Sequence, residues 1–248
     1  MKLDIVIPVL NEERGLSRSI DAIIKYCDEN LPSWNYRVVI ADNGSTDGTS
    51  EIGEFLAVEH QVVSYVRIHQ KGRGRALKQV WSVSKSDIVA YMDVDLSTDL
   101  EALPRALYQV TERKMDICVG SRLLSKSIVE NRSFYRGFIS RCYSLLFRLL
   151  FFVSFRDAQC GFKVVLKSSL DDVLEHVRDS GWFFDTELLI LFEKSGFKVS
   201  EIPVVWVDDP NSKVNVMKTA WGDLKGLFRL RFGGLSVCKK IISNRSLT

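Results

Sequence analysis

Ile88-Val89-Ala90-Tyr91-Met92 runs into Asp93-Val94-Asp95, setting five apolar residues against two carboxylates. A short apolar run bounded by polar residues predicts a buried strand over Ile88–Met92. Acids at the carboxyl end of such a strand sit where open α/β sheets bind ligands. Two carboxylates this close repel each other and resist desolvation, and a divalent cation relieves both problems. Mg²⁺ or Mn²⁺ held there would in turn hold a pyrophosphate. Asp93, Asp95 and Ser97 alternate, so an extended backbone would point all three to one side. The plainer reading is a solvated turn, because Asp is a common turn residue. The rest of the chain decides between the two.

Outward from that strand, apolar runs at 3–9, 36–41, 62–68 and 115–119 alternate with helical stretches at 11–27, 76–84 and 101–113. Alternating strands and helices predict an α/β fold, a Rossmann-like, mostly parallel sheet covered by helices. Beyond residue 122 the pattern predicts a long helix over 132–155, a strand at 162–166 and helices at 168–177 and 185–195. A strand at 199–207 and an amphipathic helix at 216–231 follow. No linker or repeat interrupts the 248 residues, so 1–125 and 126–248 read as two halves of one domain.

Net charge is only +3, but it is unevenly placed. Residues 121–156 hold seven Lys/Arg against Glu130 alone, and residues 213–248 hold eight against Asp223 alone. Two basic segments in a nearly neutral chain point to a local anionic partner. The five cysteines are scattered, without metal-like spacing, and read as reduced thiols. The N-terminus enters a strand directly, so no signal peptide is expected. No apolar run reaches the ~18–20 residues of a membrane span.

The polar clusters each fall just after a predicted strand: Asn11-Glu12, Asp42-Asn43, Lys71-Gly72, Asp93/Asp95 and Ser121-Arg122. They would line one sheet edge, the position of a nucleotide-type site. Asp42 and Asn43 suit a base edge or a ribose hydroxyl. Ser45 and Asp47 read better as turn and cap residues. Lys71 beside Gly72 and Gly74 offers a cation and close backbone approach to phosphate.

The run Ile5-Val6-Ile7-Pro8-Val9-Leu10-Asn11-Glu12-Glu13, with Asp42-Asn43-Gly44-Ser45-Thr46-Asp47 and Asp93-Val94-Asp95, resembles family-2 glycosyltransferases of the GT-A fold. The resemblance covers about residues 3–125. It implies a nucleotide diphosphate sugar as donor, with Pro8, Val9, Glu12 and Asp42 in its nucleoside pocket; Asn11, Asn43, Lys71, Gly72 and Asp93 join the expected donor set by their place after the strands. It implies a metal site at Asp95, helped by Asp93; the alternation noted above adds Ser97 as a ligand, directly or through water. Asp157-Ala158-Gln159-Cys160-Gly161-Phe162-Lys163, Trp182-Phe183-Phe184-Asp185-Thr186-Glu187 and Pro203-Val204-Val205-Trp206 are similar to the branch that loads hexoses onto polyprenyl or dolichyl phosphate. The Gln-Cys-Gly-Phe-Lys stretch leans toward glucose. Mannosyl synthases usually carry Gln where this chain has Ser97, and many relatives carry C-terminal membrane spans not seen here.

The residues of the second half agree. Arg132, Arg136 and Ser140 recur every four positions and would share a helical face. An Arg-edged, Phe/Leu-rich helix at 132–155 suits a membrane interface, and the helix at 216–231 repeats the pattern. Each Lys/Arg near an anionic leaflet contributes ~1 kcal/mol. The plainer reading is a core helix with outward-snorkelling arginines. A phosphate acceptor has a second pKa of ~6 and arrives largely ionised. Arg122, Arg132, Arg136, Ser140 and Lys213 would then neutralise it, while Asp185 and Glu187 orient the acceptor side.

The expected function is inverting, metal-dependent transfer of glucose, or next mannose, from a nucleotide sugar to polyprenyl or dolichyl phosphate. Asp95, Arg122, Asp185 and Glu187 are the expected catalytic set. The expected place is peripheral, on the cytoplasmic membrane face, without nucleic acid. The alternatives are a soluble enzyme extending a saccharide and a non-catalytic basic module binding membrane surfaces.

Overall fold

In strand β1 (Lys2–Val9), Leu3, Ile5, Ile7 and Val9 point into one apolar core and Val6 into another. That alternation places β1 in the middle of a sheet buried on both faces. The structure, a computed structural model, describes residues 1–208 and 216–245. β2 (Asn35–Asp42), β3 (Val63–Arg67), β4 (Ile88–Met92), β5 (Ile117–Ser121), β7 (Phe162–Leu166) and β8 (Val199–Pro203) complete a seven-stranded sheet of order β3-β2-β1-β4-β7-β5-β8. β6 (Ile128–Glu130) and β9 (Val205–Val207) form a separate parallel pair.

The first four strands are parallel, as the alternating pattern predicts. β7 departs from it, running antiparallel between β4 and β5. Its start, Phe162, lies opposite Met92, so the loop before it reaches the edge where Asp93 leaves β4. Strands from both sides of residue 125 therefore share one sheet.

Helix α1 (Leu16–Asn30) buries Leu16, Ile20, Ile23 and Cys27, a repeat of four, three and four on one face. With α2 (Thr49–Glu59) and α4 (Ala102–Thr111) it covers one side of the sheet. α3 (Arg73–Val83), α5 (Phe134–Phe151), α6 (Lys167–Leu174), α7 (Phe184–Lys194), α8 (Val216–Arg229) and α9 (Ser236–Arg245) bring residues to the other core. A π-helical turn over Leu230–Gly234 joins the last two.

Three expected elements change. The helix expected from 11 starts at Leu16, because Asn11 sits at φ 58 and turns its polar groups to the next loop. The strand expected over 199–207 divides between two sheets at Pro203, which has no N–H to continue a ladder. The helix expected over 132–155 is capped by Ser133, whose side chain accepts the Arg136 N–H, and closes at Phe152 in the left-handed region. Arg132 thus precedes the helix. Among the described residues no helix is long and apolar enough to cross a membrane.

Candidate functional site

The ends of β1, β2 and β4 bring the first half's polar loops together. Asp42, ending β2, is fully buried. It accepts the Ser45 N–H at 2.8 Å, the Ser50 hydroxyl at 3.0 Å and the Tyr65 hydroxyl at 2.6 Å. Burial pushes its carboxyl up, but those hydrogen bonds outweigh it and hold it below the ordinary range. Both oxygens are engaged inside the protein, so Asp42 shapes the loop.

The asparagines work similarly. Asn11 Oδ1 accepts the Thr46 N–H at 2.8 Å, and Ser45 Oγ accepts the Asn11 N–H at 3.0 Å. Asn43 Oδ1 accepts the Gly72 N–H at 2.8 Å, joining the β2 and β3 loops. Glu12 donates its N–H to Thr49 Oγ1 at 2.8 Å. Pro8 is half-buried and Val9 buried at the end of β1. Gly72 has φ +147 and lies against the Ser180 carbonyl, where a Cβ would overlap it. Lys71 is exposed beside it.

After β4 the backbone turns at once. The Leu96 N–H bonds the Asp93 carbonyl at 3.1 Å, and Leu96 has φ 51. The extended alternation of Asp93, Asp95 and Ser97 is therefore replaced by a turn. Asp95 is exposed and accepts the Ser97 N–H at 3.0 Å. Ser97 is buried beneath it, with its carbonyl accepting the Val207 N–H at 2.9 Å, and so does not join the carboxylates in one row.

Asp93 is the outer end of a buried charge network that the sequence pattern did not reveal. Its Oδ1 lies 2.7 Å from Arg73 Nη2, which donates to Tyr91 Oη at 3.2 Å. Tyr91 donates to Asp185 at 2.5 Å, and Lys163 reaches Tyr91 at 3.1 Å and Asp185 at 2.8 Å. Arg73 lies between the rings of Tyr91 and Trp182, 5.1 and 5.0 Å from their centroids. The signal available was Lys163 within the otherwise apolar run Phe162–Leu166, since a buried charge requires a partner.

Asp185 and Glu187 both find partners inside the protein. Asp185 turns to Tyr91 and Lys163. Glu187 is gripped by Arg229 at 2.9 and 2.8 Å and accepts the Asp179 N–H at 2.8 Å. Both are buried and neither stands open to an acceptor.

Burial pushes the Asp93 carboxyl up; Arg73 opposes that rise and the Asp95 charge adds to it. A divalent cation at Asp93 and Asp95 fits this excess of negative charge. Among the described residues no group of three or more His, Cys, Asp or Glu surrounds a metal position.

The expected acceptor cations gather near β9. Arg122 binds Asp157 through Nε and Nη2, both at 2.8 Å, and lies 4.7 Å from the Trp206 ring centroid. Its charge is thus already met in part by a buried carboxylate. Arg136 pairs with Asp208 at 3.0 Å. Arg132 folds back to donate to Ser140 Oγ at 2.5 Å, so the three meet although Arg132 is outside the helix. Its buried Nε has no hydrogen-bond partner, and burial together with the Arg122 charge lowers its affinity for its own proton. Lys213 lies outside the described residues.

The profile of glycosyl transferase family 2 matches residues 4–174. Glycosyltransferase AglD of Haloferax volcanii is 31% identical over 90% of this chain, which spans only 36% of AglD. The dolichyl-phosphate beta-glucosyltransferase of Dictyostelium discoideum is 26% identical over 93% of this chain and 74% of its own length. The Homo sapiens enzyme of that name is 28% identical, over 86% and 69%. The crystal structure of glucosyl-3-phosphoglycerate synthase from Mycobacterium tuberculosis with Mn²⁺ and UDP-glucose superposes with a TM-score of 0.64 at 18% identity, covering 94% of this chain and 79% of that one. That likeness establishes the fold.

Proposed function

The chain belongs to glycosyl transferase family 2, and on that premise we propose that it transfers a hexose from a nucleotide diphosphate to polyprenyl or dolichyl phosphate. Glucose is the preferred sugar, UDP-glucose the preferred donor and GDP-mannose the next. The relatives named dolichyl-phosphate beta-glucosyltransferase support the choice of reaction. The carrying observation is Arg132, a guanidinium with an unpartnered buried Nε beside two arginines that already have carboxylates. A phosphate would satisfy it; a sugar hydroxyl would leave its charge uncompensated.

Residues 1–125 form the donor half in this reading and 126–248 the acceptor half. Pro8, Val9, Glu12, Asn43, Lys71 and Gly72 border the donor, on a loop frame built by Asn11 and Asp42. Asp95, with Asp93, would hold Mg²⁺ or Mn²⁺, which when bound neutralises charge on the departing diphosphate.

The acceptor phosphate needs placement and charge neutralisation more than deprotonation, because its second pKa is ~6. Arg132 and Arg136 supply both, and Ser140 fixes Arg132. A phosphate oxygen bonds to the anomeric carbon from the face opposite the nucleotide. The bond from that carbon to the β-phosphate oxygen breaks, its electron pair leaves with the diphosphate, and configuration inverts. The pairing of Asp157, Asp185 and Glu187 within the protein disfavours a hydroxyl acceptor, which would need one of them as a base.

The surface of α5 supports a lipid setting. Phe134, Phe138, Leu145, Leu149 and Phe152 are all exposed at spacings of four, seven, four and three, a single stripe. Trp221, Phe228 and Phe232 form a second. Both suit peripheral contact with a bilayer surface, and the face we propose is the cytoplasmic one.

The test is transfer from radiolabelled UDP-glucose and, separately, GDP-mannose into the organic phase, with purified protein, dolichyl phosphate, detergent and Mn²⁺. Lipid label from one donor, abolished by EDTA, is expected. Label only in a water-soluble product would overturn the acceptor assignment.

A further inference from the structure

Asp208 follows β9 and is nearly buried, with 13% of its side chain exposed. Its two oxygens serve two partners. Oδ2 accepts from Arg136 Nη1 at 3.0 Å, and Oδ1 accepts from Trp206 Nε1 at 3.1 Å. That indole is the platform on which the Arg122 guanidinium lies, 4.7 Å from the ring centroid. One carboxylate therefore fixes one arginine directly and the support of another.

The same strand is sewn to the donor side. The Val207 N–H bonds the Ser97 carbonyl at 2.9 Å, and the Asp99 N–H bonds the Val205 carbonyl at 3.0 Å. The Val205 N–H returns to Asp99 Oδ1 at 2.9 Å. Ser97 in turn donates its N–H to Asp95 at 3.0 Å. A short path of hydrogen bonds thus runs from Asp95 through Ser97 and Val207 to Asp208 and Arg136. Its far side is anchored as well, because the Asp208 N–H bonds the Glu130 carbonyl at 3.1 Å.

We infer that Asp208 is a positioning residue that sets the acceptor-phosphate arginines, Arg136 directly and Arg122 through Trp206, at a fixed distance from the donor-side carboxylate Asp95. The inference rests on the acceptor assignment above and adds a residue and a role to it. In-line displacement demands close placement of two anionic reactants, and a 1 Å misplacement can cost ~10²-fold in rate. A rigid strut between donor and acceptor charges meets that demand. Asp208 itself touches neither reactant.

The experiment measures steady-state kinetics with UDP-glucose and dolichyl phosphate varied separately, and equilibrium binding of dolichyl phosphate in detergent, for wild type, Asp208→Asn and Asp208→Ala. Asp208→Asn keeps an acceptor for Trp206 Nε1 and loses the charge facing Arg136. It should raise the acceptor KM about 3–10-fold and leave kcat within about twofold. Asp208→Ala loses both and should lower kcat by ~10-fold or more in addition. Both should leave the UDP-glucose KM unchanged. A merely structural role would lower the melting temperature without this graded split. Equal acceptor KM and kcat in all three proteins would overturn the inference alone. If wild type neither binds nor glycosylates dolichyl phosphate, the acceptor assignment falls and this role for Asp208 falls with it.

Discussion

Arg73 Nη2 lies 2.7 Å from Asp93 Oδ1, with 11% of the arginine side chain and 28% of the aspartate exposed. This pair joins the exposed carboxylate turn to a buried group of one tyrosine, one lysine and a second aspartate. The protein thereby carries part of the countercharge for Asp93 itself. Negative charge close to where a pyrophosphate is expected is tolerated because positive charge lies directly beneath it.

Arg73→Met removes that cation and leaves Asp93 and Asp185 sharing Lys163. Breaking a buried pair by removing one partner costs about 3–5 kcal/mol. Urea unfolding of the purified variant should show a loss of that order, and Arg73→Lys a smaller one. Mn²⁺ should narrow the gap for Arg73→Met, because it returns positive charge to Asp93. A variant as stable as wild type would show that the pair contributes nothing net.

What the sequence made legible follows from local pattern. Ile88–Met92, alternating Lys2–Val9 and the turn-rich stretch after Asp42 each report their own conformation, so the parallel half of the sheet could be read directly. The insertion of β7 depends on pairing between residues about seventy positions apart, Met92 with Phe162, which no local period encodes. The site divides the same way. Asp93, Asp95 and the arginines were visible as residue types after strands. Their partners, Arg73 with Asp93 and Asp157 with Arg122, were visible only once the loops met. Tyr91 was hidden because it occupies a strand position that reads as plain core.

Asp223 predicts a pH dependence. Burial, the largest cause, pushes its carboxyl from 3.8 up to about 7, although the Gln159 side chain opposes the rise. The folded protein therefore holds a proton that the unfolded chain releases. Stability at this site is fully present below pH about 4 and falls as pH rises to about 7, by an amount on the order of 4 kcal/mol. Asp223→Asn retains an acceptor for Gln159 and should flatten that slope. Urea midpoints from pH 5 to 8 should decline more steeply for wild type, with the variant more stable at the alkaline end. Parallel slopes would remove Asp223 as their source.

Arg132 should act on the acceptor and not on the donor. Its Nη2 is fixed by Ser140 and its Nε has no partner, so the open valence is directional. Arg132→Ala should raise the dolichyl phosphate KM by ~10-fold or more and leave UDP-glucose binding, followed by calorimetry, unchanged. Arg132→Lys should restore little, since an ammonium cannot span Ser140 and a phosphate as a planar fork does. Loss of donor binding instead would move Arg132 to the nucleotide side.

The stripe on α5 separates surface attachment from catalysis. Phe138 and Leu149 are 57% and 63% exposed on the same face, while Phe147 and Phe151 are buried on the opposite one. Phe138→Glu with Leu149→Glu therefore changes the outer face and leaves the packed one intact. Full burial of each native side chain in a bilayer interface is worth up to about 1.5–3 kcal/mol. Placing carboxylates there adds repulsion from anionic headgroups. Flotation with vesicles of phosphatidylcholine and phosphatidylserine should show at least a tenfold drop in bound protein, at an unchanged melting temperature. Transfer to a short, water-soluble polyprenyl phosphate should continue near the wild-type rate. Undiminished flotation would place the membrane contact elsewhere, with Trp221, Phe228 and Phe232 as the next residues to replace.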